Sequence, residues 1–265
     1  MNLTPHDLRQ GDRVYQLISC LSPLVVLLIW ELAVRTEMLD RRFFPPPSTV
    51  ARVLFQLIQS GELSDHIWVS LRRIFLGFAL GAVPGVLLGM LMGGFRSVRA
   101  FFDPIVAALF PVPKITLLPL FMILFGIGEI SKIVTVATGG FFLVLITTMH
   151  GVMGIDPVLI QAGQNYGARG WKLFARVIFP ASLPAIFTGL RLSLSISLLI
   201  IVAAEFVASD HGIGYFIWMS WSTLAVSKMY AGLVVIAMLG ILFTNGLERL
   251  GRFLMPWAQD VRKQG

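Results

Sequence analysis

Charge is what this sequence has least of. Only 13% of its 265 residues are Asp, Glu, Lys or Arg, and 56% are hydrophobic, for a mean hydropathy of +0.82. A soluble domain carries about 25% charged and 45–50% apolar residues. The imbalance excludes an ordinary soluble fold and points to a bilayer as solvent. Cysteine is nearly absent: Cys20 stands alone, which excludes an intrachain disulfide and a thiol-based metal site. The four histidines (His6, His66, His150, His211) lie far apart with no HxxxH spacing, so no metal site is expected. No G-x4-G-K-[ST] occurs, so the chain has no loop of its own for cradling ATP. The net charge of +7 comes without any Lys/Arg-rich run; the basic residues are scattered at the edges of apolar segments. That pattern carries membrane topology and excludes nucleic acid as a partner.

What is present is a series of long apolar segments. Six are expected to cross a membrane: 17–34, 74–95, 104–126, 133–149, 184–205 and 229–247. Each has about the 17–25 residues that an α-helix needs to span the hydrocarbon core. Their polarity is continuous rather than alternating, which excludes a β-barrel. The fold class is therefore all-α and polytopic. The first run follows Arg9 and Arg13 but is longer than a signal h-region and lacks a clean cleavage site, so it reads as a retained anchor. With both ends inside, that side holds Arg9, Arg13, Arg96, Arg99, Lys114, Arg169, Lys172, Arg176, Arg249, Arg252, Arg262 and Lys263. The other side holds Arg35, Arg41, Arg42, Arg52, Arg72, Arg73, Lys132 and Lys228, a balance of 12 to 8. The positive-inside rule then favours cytoplasmic termini and a cytoplasmic loop at 150–183.

Three regions follow: residues 1–65 (tail, first span and an outer amphipathic segment), a core at 66–255, and a tail at 256–265. In the outer segment Pro45–Pro47 bar helix. Ser48 then suits the N-cap of a short helix with Val50, Val53, Leu54, Leu57 and Ile58 on one face, fit to lie in the interface plane. In the second span glycine recurs at Gly77, Gly81, Gly85, Gly89 and Gly93, every fourth residue, with Pro84 as a kink. One stripe of glycines lets another backbone approach closely, either within the subunit or at a dimer seam.

The segment between the fourth and fifth spans, QAGQNYGARGWKLFARVIFPASLP (161–184), is polar and heavily punctuated. Asp156 and Pro157 suit a helix start, and Gly167 interrupts. A second short helix is expected from Gly170 to Phe179, stopped by Pro180, with Trp171, Phe174 and Ile178 on one stripe and Arg169, Lys172 and Arg176 around it. An aromatic face with a basic rim suits a protein–protein contact or an amphipathic hairpin on the inner leaflet. Within the spans, ionisable residues are site candidates by default. Arg191 falls 11 residues past Pro180, within reach of the inner interface. Glu205 lies 14 residues further, about 21 Å along a helix, and belongs at the outer end. Glu205, Ser193, Ser197 and Thr138 are candidates for a pathway or gate, although such hydroxyls commonly bond their own helix. Glu129 and Lys132 read as a solvated pair at an outer turn.

The same segment resembles the cytoplasmic loop of permease subunits in ABC-type importers, E-A-A-x3-G-x9-I-x-L-P. Gln161-Ala162-Gly163, Gly167 and Val177-Ile178-Phe179-Pro180 match its spacing throughout. Ala162, Gly167 and Pro180 are identical; Gln161 for Glu and Gly163 for Ala are departures. Phe102-Asp103-Pro104, PLFMILFGIGEISKI (119–133), LPAIFTGLRLSLS (183–195), AAEF (203–206) and HGIGYFIW (211–218) are similar to the branch serving taurine, aliphatic sulfonates and nitrate. The likeness runs from about residue 44 to the end. It implies a type I importer permease in a prokaryotic inner membrane, with no catalytic residue and no cofactor of its own; ATP and magnesium would sit in a partner. The implied partners are a pair of ATP-binding subunits, a periplasmic or lipid-anchored binding protein, a second copy of this chain, and lipid. The loop at 157–180 would engage the ATPase through Gln161, Ala162, Gly163, Tyr166, Gly167, Arg169, Trp171, Lys172, Phe174, Arg176 and Pro180. A self-sufficient secondary carrier or channel is the alternative; it would want buried acids at mid-membrane or internal repeats, and neither is visible. A non-transporting anchor is a third reading.

Overall fold

A computed structural model describes residues 21–259, which excludes Arg9, Arg13, Cys20, Arg262, Lys263 and the start of the first expected span. The described chain is helical and divides into two units, one comprising residues up to 62 with 217–233, the other 63–216 with residues from 234 on.

In the first unit a helix (α1) occupies 21–35 and a second (α2) Pro47–Gln59. Ser48 is not the N-cap. Pro46 holds that position without a side-chain bond, and the Glu31 carboxylate does the capping from α1, accepting from Ser48 N at 3.0 Å and Ser48 Oγ at 2.8 Å. Pro47 has no N–H to offer, so the first free amide of α2 is that of Ser48, and an acid at a helix N-terminus suits the dipole. Val50 and Leu57 are buried while Phe55 and Ile58 stay exposed. Lys228 and Glu62 pair at 2.8 Å, and Trp30 stacks obliquely on Tyr230 at 5.5 Å between ring centres.

The second unit holds the long helices α3 (Glu62–Gly94, whose first residue belongs to the first unit), α6 (Glu129–Met153) and α9 (Phe179–Ala208), the start of the short α10 (Ile213–Ser222), and most of α11 (Val226–Leu254). The helix entering α9 begins at Trp171, and these four are long and apolar enough to cross a membrane. The expected span at 104–126 is not one straight helix. Helix α4 (Arg96–Leu109) ends, the chain bends by 89°, and it resumes as a 3-10 turn (Lys114–Leu117) and α5 (Leu118–Phe125). Pro111 and Pro113 supply no N–H to carry the helical bonds onward; Phe110, just before the first, still holds helical angles. The carbonyls freed at the bend are taken by Lys114 Nζ, which donates to Leu109 O (2.7 Å), Phe110 O (3.0 Å) and Val112 O (2.8 Å).

The glycine stripe of α3 meets α6 of the same chain. A methyl added at Gly77 would lie 2.7 Å from Val136, one at Gly89 2.6 Å from Leu145 O, and one at Gly81 would meet the Ala137 carbonyl closer still. Glycine is therefore what permits this backbone approach. On its other side α6 packs on α9, where Gly189 faces Thr147 and Gly140 faces Ser193. Met92, Phe142, Leu145 and Met149 fill the space between α3 and α6.

Candidate functional site

The segment after α6 opens with α7 (Pro157–Asn165), capped by Asp156, whose carboxylate accepts from Val158 N at 2.8 Å. The chain then reverses through two glycines in left-handed conformation, Gly167 (φ +82) and Gly170 (φ +51). Only glycine adopts these angles without strain. Ala168 N donates back to Gly163 O at 3.0 Å and closes the turn.

The second half departs from expectation. Pro180 does not stop a short helix. A turn of α-helix (α8, Trp171–Leu173) widens into a π-turn over Phe174–Ile178 and continues into α9 through both Pro180 and Pro184. Phe179 N bonds Phe174 O, five residues back. That extra residue opens the helix where the Pro180 ring would otherwise press on the carbonyl four residues earlier.

Helix α7 lies against this widened turn. A methyl at Gly163 would sit 2.8 Å from Val177 Cγ2, so glycine at this position matches the β-branched residue opposite. The faces left over are exposed: Tyr166 is 94% and Trp171 75% accessible, with Trp171 stacked on Phe174 at 5.1 Å. Gln161, Arg169, Lys172 and Arg176 are exposed around them. Gln164, Asn165, Ala168, Arg169, Gly170 and Leu173 line an open groove. The loop thus presents an aromatic knob inside a basic rim, the composition of a docking surface rather than of a catalytic site.

A second cluster lies where α3, α6 and the end of α9 converge, and the sequence reading missed most of it. Arg73 is 1% and Glu205 0% exposed. Arg73 Nη1 donates to Glu205 Oε1 at 2.7 Å and to His211 O at 2.7 Å; its Nε reaches Glu129 Oε2 at 2.9 Å and its Nη2 Glu129 Oε1. Glu205 also accepts from Ser70 Oγ (2.8 Å) and Gly214 N (2.8 Å), and Ile213 N donates to Ser70 Oγ. Gly212, at φ +122, brings its backbone so close to this carboxylate that any side chain would collide with it. Lys132 is buried too, 3.7 Å from Glu129 and 3.3 Å from Ser209 Oγ. Glu129 and Lys132 are therefore not a solvated pair: Lys132 is buried, and the half-buried Glu129 joins it to the buried Arg73. The available signal was the run of charges at the outer ends of three spans, Arg72–Arg73, Glu129–Lys132 and Glu205, read separately instead of together.

The other pathway candidates are placed as follows. Ser193 and Ser197 are buried on the α6 side of α9, and Ser197 bonds its own helix at Ser193 O (2.8 Å). Thr138 likewise bonds Val134 O at 2.8 Å. Glu205 faces Arg73.

The sequence profile of the family described as "Binding-protein-dependent transport system inner membrane component" matches residues 85–256. The chain belongs to that family. This permease is 35% identical over 237 residues to SsuC of Bacillus subtilis (strain 168), a permease protein assigned to aliphatic sulfonates transport, covering 89% of this chain and 86% of SsuC. It is 35% identical over 243 residues to the taurine transport system permease protein TauC of Escherichia coli (strain K12), covering 90% and 88%. In fold it is similar to the inward-facing MetNI methionine ABC transporter, with a TM-score of 0.61 at 20% identity, covering 72% of this chain and 95% of that one. The permease is thus a multi-pass inner-membrane transport subunit of the sulfonate and taurine branch. Two blocks that resembled this branch at a distance in sequence, AAEF and HGIGYFIW, meet here in space: the glycine loop wraps the Glu205 carboxylate.

Proposed function

We propose that this permease forms the translocation pathway of an ATP-driven importer for sulfonates and related small organic anions, and performs no bond chemistry itself. The observation that carries the reading is the 35% identity to sulfonate and taurine permeases across nine tenths of the chain. Two copies make one pathway in the lipid bilayer, with both termini cytoplasmic. A periplasmic or lipid-anchored binding protein delivers the solute to the outer face. Each copy inserts the knob of Tyr166, Trp171 and Phe174 into a groove of a separate ATP-binding subunit, and Arg169, Lys172 and Arg176 set its register. ATP and magnesium belong to that subunit. Its closure drags the docked loop, and because the Trp171 turn runs unbroken into α9, the motion passes to the spans as a rigid-body tilt. Gln161 contributes an amide where the family motif has a carboxylate, so this contact relies on hydrogen bonding and depends little on salt.

Co-purification with the partner ATPase from detergent-solubilised membranes tests this. Wild type should retain the ATPase; Trp171→Ala should lose it while remaining in the membrane, since Trp171 is exposed and its removal leaves no core cavity. Stable permease that never retains the ATPase would overturn the reading.

A further inference from the structure

We propose that Arg191 is the anion-recognising residue of the translocation pathway, a weak subsite for a sulfonate or similar oxyanion in transit. The inference rests on the importer reading above and assigns its substrate contact. Arg191 lies 12 residues into α9, about 18 Å along the helix at 1.5 Å per residue. Its neighbours in sequence fix its depth: Gly189 packs on Val144 and Thr147, and Ser193 on Gly140. These are central residues of α6. Arg191 is therefore near mid-span and not at the inner interface.

At that depth its charge is uncompensated. Among the described residues Arg191 makes no hydrogen bond or ion pair, and its Nε is shut from solvent without a partner. The other cations drawn into the spans, Arg73 and Lys132, are matched by Glu129 and Glu205. Glu205 is 14 residues away on the same helix and fully engaged. On α11, Gly251 packs on Phe187, one turn below Arg191; Glu248, one turn from Gly251, does not come within ion-pair distance of it. Arg191 borders the open side of α9, where Thr188, Leu192, Ser195 and Leu199 are exposed. A cation at mid-span does not face hydrocarbon; it faces protein or a water-filled passage. A guanidinium offers the planar fork that matches oxyanions in two parallel hydrogen bonds. One unpaired arginine from each copy, rather than a dense basic cluster, also binds weakly enough to release its cargo, as conduction requires.

The test is uptake of radiolabelled taurine and ethanesulfonate by cells expressing the permease with its ATPase and binding protein. Because Cys20 is the only cysteine, Cys20→Ser provides a thiol-free background for Arg191→Cys. Arg191→Cys should lower uptake about tenfold to a hundredfold, the loss expected for a hydrogen bond to a charged group, with membrane level and retained ATPase unchanged. Aminoethyl methanethiosulfonate, which restores a cation, should restore uptake; sulfonatoethyl methanethiosulfonate should not. Arg191→Lys should keep most of the activity. Uptake by Arg191→Cys equal to wild type overturns the proposal, as does an equal loss in Glu248→Gln, which would make Arg191 a partner of that acid. Absence of both the Cys and the Lys variants from the membrane would mark a structural role and overturn it too. Wild type that imports a neutral solute but neither sulfonate would instead defeat the substrate reading, and this assignment with it.

Discussion

Removing Arg73 should be among the most damaging single changes in this permease. Its guanidinium is 1% exposed and donates to two carboxylates, a carbonyl and Ser209 Oγ. In Arg73→Met, Glu205 would remain fully buried with only Ser70 Oγ and Gly214 N as donors. Leaving one member of a buried pair uncompensated costs about 3–5 kcal/mol. At about 2–4 °C per kcal/mol for chains of roughly this size, the unfolding midpoint in detergent should fall on the order of 10 °C. Arg72 is the internal control, since it is 57% exposed and 3.6 Å from Glu129; Arg72→Met should cost about 0–1 kcal/mol. The double variant Arg73→Met with Glu205→Leu removes the stranded charge together with its partner, so its cost should fall well below the sum of the two single changes. Thermal unfolding followed by tryptophan fluorescence reads the wild type and all four variants, Glu205→Leu alone included. Equal midpoints for the Arg73 and Arg72 variants, or strict additivity in the double variant, would refute the argument.

Further outcomes follow from the packing. Gly81→Ala, which drives a methyl into the Ala137 carbonyl, should destabilise by about 1–3 kcal/mol. Gly240→Ala in α11, where nothing lies within 4 Å, should be neutral or stabilising by up to about 1 kcal/mol; the same unfolding assay compares them. Gly163→Ala restores the residue of the family motif but presses on Val177, so it should weaken ATPase retention, and Val177→Ala in the same chain should recover it.

Four of the six expected spans, those within α3, α6, α9 and α11, were legible because length and hydropathy are properties of the sequence. The glycines at every fourth position of α3 likewise announced close packing, though only contact geometry could say that α6 of the same chain is the partner. The break at 110–113 carried its own warning in Pro111 and Pro113, outweighed in the reading by the apolar run around them. Pro180 misled for the opposite reason: a proline ends a helix unless the preceding turn widens, and a π-turn leaves no residue signature. Spacing picked out the punctuated loop at 157–180 down to Gly167, while Gly163 acquired a reason only once Val177 was seen opposite. The Arg73 network was invisible because its members are 56 and 132 residues apart from Arg73, and single charges near span ends look solvated one at a time.

ATP-dependent uptake of labelled taurine into proteoliposomes holding the permease, its ATPase and the binding protein tests the central claim most directly. Accumulation that requires ATP and the binding protein, and disappears with Trp171→Ala, is the predicted result. Accumulation driven by an ion gradient without the ATPase would contradict the account.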